Sequence, residues 1–325
     1  MKKIILLLII GSGFLGIRSG YSQTVQKDYP NRPIRMVIPY VAGGPMDFIG
    51  RSIGQKISPM LGQNFYLDNR GGAGGAIGTD IVAKSIPDGY TILNTSSSHA
   101  SLPVVSKNLP YDPVKDFLPI THIANSVGFV LAVGPTVTAK NLQDFITDAR
   151  ANPGKYNYGS AGVGNIMQFA AEFFNTSAGT KINHIPYKGL VQVITDLAAG
   201  RIDICFGSAT TILPFIKSGQ VRALAITGQS RWVHMPNVPT VDESGIKGFF
   251  YTPWYGFWYP SGTPTAYVDK MRYAINKALE DPDLKKNFSD QGFITIGGDS
   301  EAFAKIIGND IESNKTLASK IDFVP

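Results

Sequence analysis

The nearest approach to nucleophilic chemistry in this sequence is Ser96-Ser97-Ser98-His99, three hydroxyls running into an imidazole after an apolar stretch. A serine nucleophile needs a base within hydrogen-bond reach and a third group that orients the base. No acidic partner accompanies this segment. Ser160 lies in Gly159-Ser160-Ala161-Gly162, which misses the G-x-S-x-G spacing of a nucleophile elbow. Cys205, the only cysteine, sits in the apolar run IDICF, where a thiol packs as a small hydrophobe. A single cysteine also excludes an intrachain disulfide and a Cys-based zinc site. His99, His122, His184 and His234 show no metal-binding spacing. The run Gly71–Gly78 (GGAGGAIG) lacks the lysine of a phosphate loop, and Gly11–Gly16 matches G-x-G-x-x-G with no strand or helix to give it meaning. Neither metal, cofactor nor catalytic residue is expected.

What recurs instead is the small-residue turn that can hold an anion. Ala42-Gly43-Gly44-Pro45-Met46-Asp47 follows the apolar run Ile34–Pro39, and Gly159–Asn165 follows Tyr156–Tyr158. Asn94–His99 follows Tyr90–Leu93, and Gly207-Ser208-Ala209-Thr210 follows Ile202–Phe206. A helix that begins in such a turn presents unpaired N–H groups and about half a positive charge. Small residues let that backbone approach a ligand closely. Helices are predicted over Phe48–Leu61, Thr79–Ser85, Ile166–Phe174 and Val191–Ala199, and strands also at Phe65–Leu67, Ile182–Ile185 and Val221–Ile226. Strands alternating with helices predict βαβ units in a mostly parallel sheet, with ligands beyond the carboxyl ends of the strands. Ala124–Val133 reads as one buried strand. Asn108–Pro119, Met235–Ser244 and Phe257–Thr265 read as proline-studded connections. Ala266–Leu279 reads as a helix ended by Asp281-Pro282, and Ser300–Ile311 as one capped by Ser300.

The 325 residues are enough for two domains. A hydrophobic content of 43% with 17% charged residues belongs to a folded soluble protein. Lys2-Lys3 before Ile4–Ile10, continuing apolar to Ile17, has the form of a secretory signal; a cut between Ser22 and Gln23 is expected, which makes 1–22 a signal peptide and the mature protein periplasmic. Its removal lowers the formal charge of +6 by three, to +3, with no dense basic stretch left for nucleic acid.

Beyond these patterns, the chain resembles the substrate-binding receptors of tripartite tricarboxylate transporters, the Bug family. The resemblance is carried by Tyr29–Pro33 (YPNRP), Pro39-Tyr40 with Gly43-Gly44 and Asp47, Asn69–Gly78 (NRGGAGGAIG), Pro87–Thr91 (PDGYT) and Leu109–Pro113 (LPYDP). It continues through Pro153–Tyr158 (PGKYNY), Ser160–Gly162, His184–Gly189 (HIPYKG) and Pro236–Thr240. It implies a periplasmic-binding-protein-like fold of type II: two α/β lobes with a ligand cleft between them, 25–124 with 248–325 forming one and 125–247 the other. It also implies a monomer that captures a small organic carboxylate and hands it to membrane permease subunits. The site residues it implies are Tyr40, Ala42, Gly43, Pro45, Met46 and Asp47 in the first lobe, with Ser96, Ser97, Ser98 and His99 beside them. In the second lobe they are Ser160, Ala161, Gly162, Gly164, Asn165 and Gln168, with Phe206, Gly207 and Ser208 at the side.

Departures from the family pattern bear on the ligand. Pro45-Met46 stands where a small residue and threonine are common; proline removes one N–H donor and methionine adds soft apolar surface. Gln168 replaces a frequent histidine, Gly207-Ser208 an Asp-Asn pair, and Leu102 an asparagine. The expected pocket is therefore less polar and suits an aromatic or otherwise apolar acid, with Tyr40, Phe169 and Phe206 as stacking surfaces. Arg51 and Lys188 are read as surface or interlobe charges. Two competing readings are a receptor that presents its ligand to a sensor kinase, and a hydrolase on the same shell using Ser98 and His99.

Overall fold

The computed structural model describes residues 28–106 and 108–319. The expected signal segment 1–22, and with it Gly11–Gly16, lies outside the described residues. Eleven strands among the described residues form two sheets. In the first, β1 (Ile34–Ile38) lies between β2 (Phe65–Asn69) and β3 (Thr91–Ser96), all parallel. β10 (Trp254–Pro260) inserts antiparallel between β3 and β4 (Phe117–Ser126), and β11 (Phe293–Thr295) closes the edge of β4. In the second sheet, β6 (Asn157–Ser160) lies between β7 (Asn183–Pro186) and β8 (Ile204–Ser208), and β5 (Phe129–Val133) lies between β8 and β9 (Arg222–Ile226). The sheets are mixed rather than mostly parallel: β10 and β11 run against their neighbours in one, and β5 runs against β8 and β9 in the other.

The reversal follows from the path of the chain. Ala124–Val133 is not one strand but the end of β4 and the start of β5, which belong to different sheets. The break falls at Gly128, whose φ of +118° few side chains adopt, and the Ser126 hydroxyl holds the turn by accepting the Gly128 N–H at 3.1 Å. The chain leaves the second sheet after β9 and re-enters the first as β10, which the sequence patterns read partly as loop. β10 is buried at all seven positions and carries Trp254, Tyr255, Phe257, Trp258 and Tyr259. Its Gly256 is required, because a Cβ there would collide with the Phe303 ring.

Helices cover the faces of both sheets. α1 (Pro45–Leu61) begins three residues before its predicted start, with Pro45 in its first turn, and turns Ile49, Ile53 and Ile57 into the core at helical spacing. α2 (Ala76–Ala83) follows β2, and α3 (Ser98–Val105) follows β3, which runs on through Asn94–Ser96 where a turn was expected. α4 (Leu142–Ala151) was not anticipated; Asn141 caps it and Phe145 and Ile146 bury its inner face. α5 (Ile166–Ala178), α6 (Leu190–Ala198) and α7 (Ala209–Lys217) follow β6, β7 and β8. Asp281 ends α8 (Thr265–Leu279) and at once caps α9 (Pro282–Asp290), accepting the Leu284 N–H at 2.9 Å. α10 (Ser300–Ala318) is capped by Asp299, not Ser300, whose hydroxyl instead donates to the Ile120 carbonyl. No helix among the described residues is long and apolar enough to cross a membrane.

Candidate functional site

The carboxyl ends of β1, β3, β6 and β8 face one another across the gap between the sheets, and each runs into a helix N-terminus there. A cavity of about 450 Å³, its mouth included, lies between them. Its wall is formed by Tyr40, Val41, Gly44, Pro45, Met46, Ser96 and Tyr255 from the first sheet's side. Phe129, Ala161, Asn165, Ile166, Met167, Leu190, Val191 and Ser208 form it from the second. No acidic or basic side chain lines it. The phenols of Tyr40 and Tyr255 are both pushed up by burial, so both stay protonated and neutral.

Seven residues named from the sequence reach this wall: Tyr40, Pro45, Met46, Ser96, Ala161, Asn165 and Ser208. Others stand just behind it. The Ser98 Oγ accepts from Asn165 Nδ2 at 3.0 Å and from the Ile166 N–H at 3.3 Å, which ties the first lobe to the second. Asn165 Nδ2 also donates to the Tyr40 hydroxyl at 3.0 Å, and that hydroxyl donates to the Gly74 carbonyl. Gln168 Oε1 accepts the Gly164 N–H at 2.8 Å, and the Gly164 carbonyl accepts from Ser101 Oγ. Gly43 packs toward Val191, and Gly162 lies against the Gly74 backbone. Ala42, Ser97 and Gly207 do not line the cavity, and Asp47 is engaged by Arg51 at 2.9 Å.

His99 is not at the site. Ser98 begins α3 facing the cleft, so His99, about 100° further round the helix, points the other way. There its Nε2 meets the Pro113 carbonyl at 2.8 Å and its ring packs on Phe117 and Trp258; burial lowers its pKa to about 4. The serine–histidine pair that does form is Ser160 Oγ with His184 Nε2 at 2.6 Å, and Ser160 is wholly buried away from the cavity wall. Burial also lowers the pKa of His184 to about 4 and raises that of the Cys205 thiol. Among the described residues no cluster of three His, Cys, Asp or Glu side chains could hold a metal ion.

Of the three aromatics expected to stack on a ligand, only Tyr40 lines the cavity. Phe169 and Phe206 are buried in the second lobe's core, Phe206 against Phe174, because α5 and β8 turn those positions inward. Phe129 and Tyr255 supply aromatic wall instead. Both lie beside the crossings between lobes, which local sequence patterns do not reveal. Ile166, Met167 and Val191 were foreshadowed only as the first residues of predicted helices, and Leu190, where the second of those helices begins, lay one residue before its expected start.

The helix termini around the cavity differ in how far they are already satisfied. At α5, Asn165 Oδ1 accepts the Met167 N–H, Ser98 accepts that of Ile166, and the Gly162 and Gly164 N–H groups also have protein acceptors. At α1, Pro45 has no N–H to give. At α7 the capping residue is Ser208, whose side chain makes no cap bond.

Comparison with known proteins agrees with this architecture. The family model described as "Tripartite tricarboxylate transporter family receptor" matches residues 49–323. Protein BugT of Bordetella pertussis is 34% identical over 298 residues, covering 90% of this chain and 91% of that protein. The solved periplasmic binding protein BugD superposes with a TM-score of 0.86 at 32% identity, over 90% of this chain and 98% of its own. Rpa4515 of R. palustris, solved with adipate, superposes with 0.87 at 29% identity, over 90% and 98%. MatC from Rhodopseudomonas palustris, solved with malate, gives 0.84 at 26% identity, over 89% and 99%. With two α/β lobes, a cleft between them and a family match spanning most of its length, the chain belongs to the tripartite tricarboxylate transporter receptor family.

Proposed function

We propose that this protein is an exported, non-enzymatic solute receptor that takes a small apolar or aromatic carboxylate into the interlobe cavity. It then delivers the acid to the membrane permease subunits of a tripartite tricarboxylate-type transporter. The observation that carries the reading is the cavity wall itself: mostly Val, Pro, Met, Ile, Leu and aromatic surface, with a few hydroxyls and amides and no charged side chain. An ionised group leaving water needs a full set of hydrogen bonds in its new site. This wall offers four hydroxyls and one side-chain amide but no cationic side chain, a set that suits one carboxylate head better than three. The apolar remainder of the ligand gains about 25 cal/mol for each Å² it buries. Adipate bound to one relative and malate to another support an organic acid as the ligand class.

The test is calorimetry of the mature protein against benzoate-type acids, adipate, malate, citrate and glutamate. The expected result is that acids with an apolar or aromatic body bind at least about tenfold more tightly than citrate or glutamate, a difference of about 1.4 kcal/mol. Tight citrate or glutamate binding with none for apolar acids overturns the ligand class. Binding of no organic acid overturns the receptor reading.

A further inference from the structure

Resting on that reading, we infer that the ligand's acid head is seated by the Ser208 hydroxyl at the start of α7, together with the Tyr255 hydroxyl from the other lobe. Ser208 is 1% exposed, lines the cavity, and its Oγ has no hydrogen-bond partner. It also occupies the capping position of a nine-residue helix without bonding that helix's amides. A capping serine normally turns its oxygen back onto the second or third amide of its helix. A buried hydroxyl that makes no bond carries the cost of lost hydration. Ser208 forgoes the first and bears the second, which is the signature of a group whose partner arrives with the ligand.

The other hydroxyls on the wall are already engaged. Ser96 Oγ donates to Ser98 Oγ at 3.1 Å and accepts the Ser98 N–H. Tyr40 donates to the Gly74 carbonyl and accepts from Asn165. Tyr255 alone among them, beside Ser208, forms no hydrogen bond among the described residues, and its raised pKa keeps it a donor. Tyr255 pairs with Ser96 in the first sheet and Ser208 with Phe129 in the second, so the two free hydroxyls come from opposite lobes. A carboxylate has two oxygens and can accept from both. One acid head therefore engages both lobes, and this is how binding favours closure.

The experiment measures affinity for the best acid of the calorimetric panel in wild type, Ser208→Ala and Tyr255→Phe, together with the ligand-free melting temperature of each. Each variant should raise Kd about tenfold or more, the loss expected for a bond to a charged group. Ligand-free Ser208→Ala should melt at the wild-type temperature or above it, since it loses an unpaired hydroxyl and not a bond. Wild-type binding with Kd unchanged in both variants overturns this seat and leaves the receptor reading intact. A marked fall in ligand-free melting temperature for Ser208→Ala also overturns it, because the hydroxyl would then be structural. Failure of the wild type to bind any acid is a failure of the receptor reading, recorded before either variant is compared.

Discussion

At the scale of single residues, side-chain direction decides which chemistry is available. Ser98 and His99 are neighbours in sequence, but helical phase sends one to the cleft and the other to the core, so they cannot act together. His99 instead carries a stability signature. Its folded pKa of about 4 lies below the ordinary 6.5, so between those values the unfolded chain binds a proton that the native imidazole refuses. Its contribution is complete above pH 6.5 and is lost as pH falls toward 4. Chemical denaturation from pH 7 to pH 4.5 should cost the wild type on the order of 2 kcal/mol more than His99→Gln. Parallel curves for the two proteins refute the assignment; His184, lowered by the same cause, adds a similar slope to both and cancels in the comparison. Residue types that face the cleft were partly legible: Tyr40, Ser96, Asn165 and Ser208 stand where strand ends meet helix starts. Phe129 and Tyr255 were not, since a buried aromatic in a continuous apolar run looks the same whether it faces core or cavity.

At the scale of elements, the βαβ rhythm was readable because β2, β3, β6 and β8 end on Asn or Ser before the next helix and the helices keep their apolar period. What escaped were features set by other parts of the chain. β10 is covered on both faces, so Trp254–Pro260 shows no alternation and its Gly and Pro read as turn residues. The β4–β5 break changes sheets without interrupting hydrophobicity. The turn before α2 makes a claim specific to its element. Gly74, at φ +64°, lies where a Cβ would collide with the Val163 carbonyl oxygen of the other lobe, and a Cβ on Gly162 would sit 2.8 Å from Gly74 N. Gly62, at φ +68°, has nothing within 4 Å of such an atom. Alanine at either position bears a similar left-handed backbone penalty, about 1–2 kcal/mol. Gly74→Ala alone should also weaken ligand binding, several-fold beyond any effect of Gly62→Ala. Equal affinities in the two variants, measured by the same calorimetry, show that the lobes do not depend on this close approach.

At the scale of the whole molecule, the two lobes are held together in part without a ligand, and the residue that does so is also part of the wall. Asn165 caps α5 with its oxygen while its amide donates to Tyr40 and Ser98 across the cleft. Two such bonds are worth roughly 1–3 kcal/mol together, or about 5- to 150-fold in a closure equilibrium. A ligand at one hundred times its dissociation constant contributes about 2.7 kcal/mol. The two terms are comparable, so the lobe equilibrium is poised where binding can decide it. Asn165→Ala, freed of the bridge, should therefore open: small-angle scattering should give a larger ligand-free radius of gyration than wild type. Saturating acid should bring it back toward the wild-type value. Its affinity should fall because the acid must now supply the closure energy that Asn165 supplied. A ligand-free radius identical to wild type means the Asn165 bonds are not what holds the lobes together, and closure must then rest on the Ile166–Ser98 and Ser101–Gly164 bonds and on the apolar contacts of Val41, Leu102 and Val191 around the cleft.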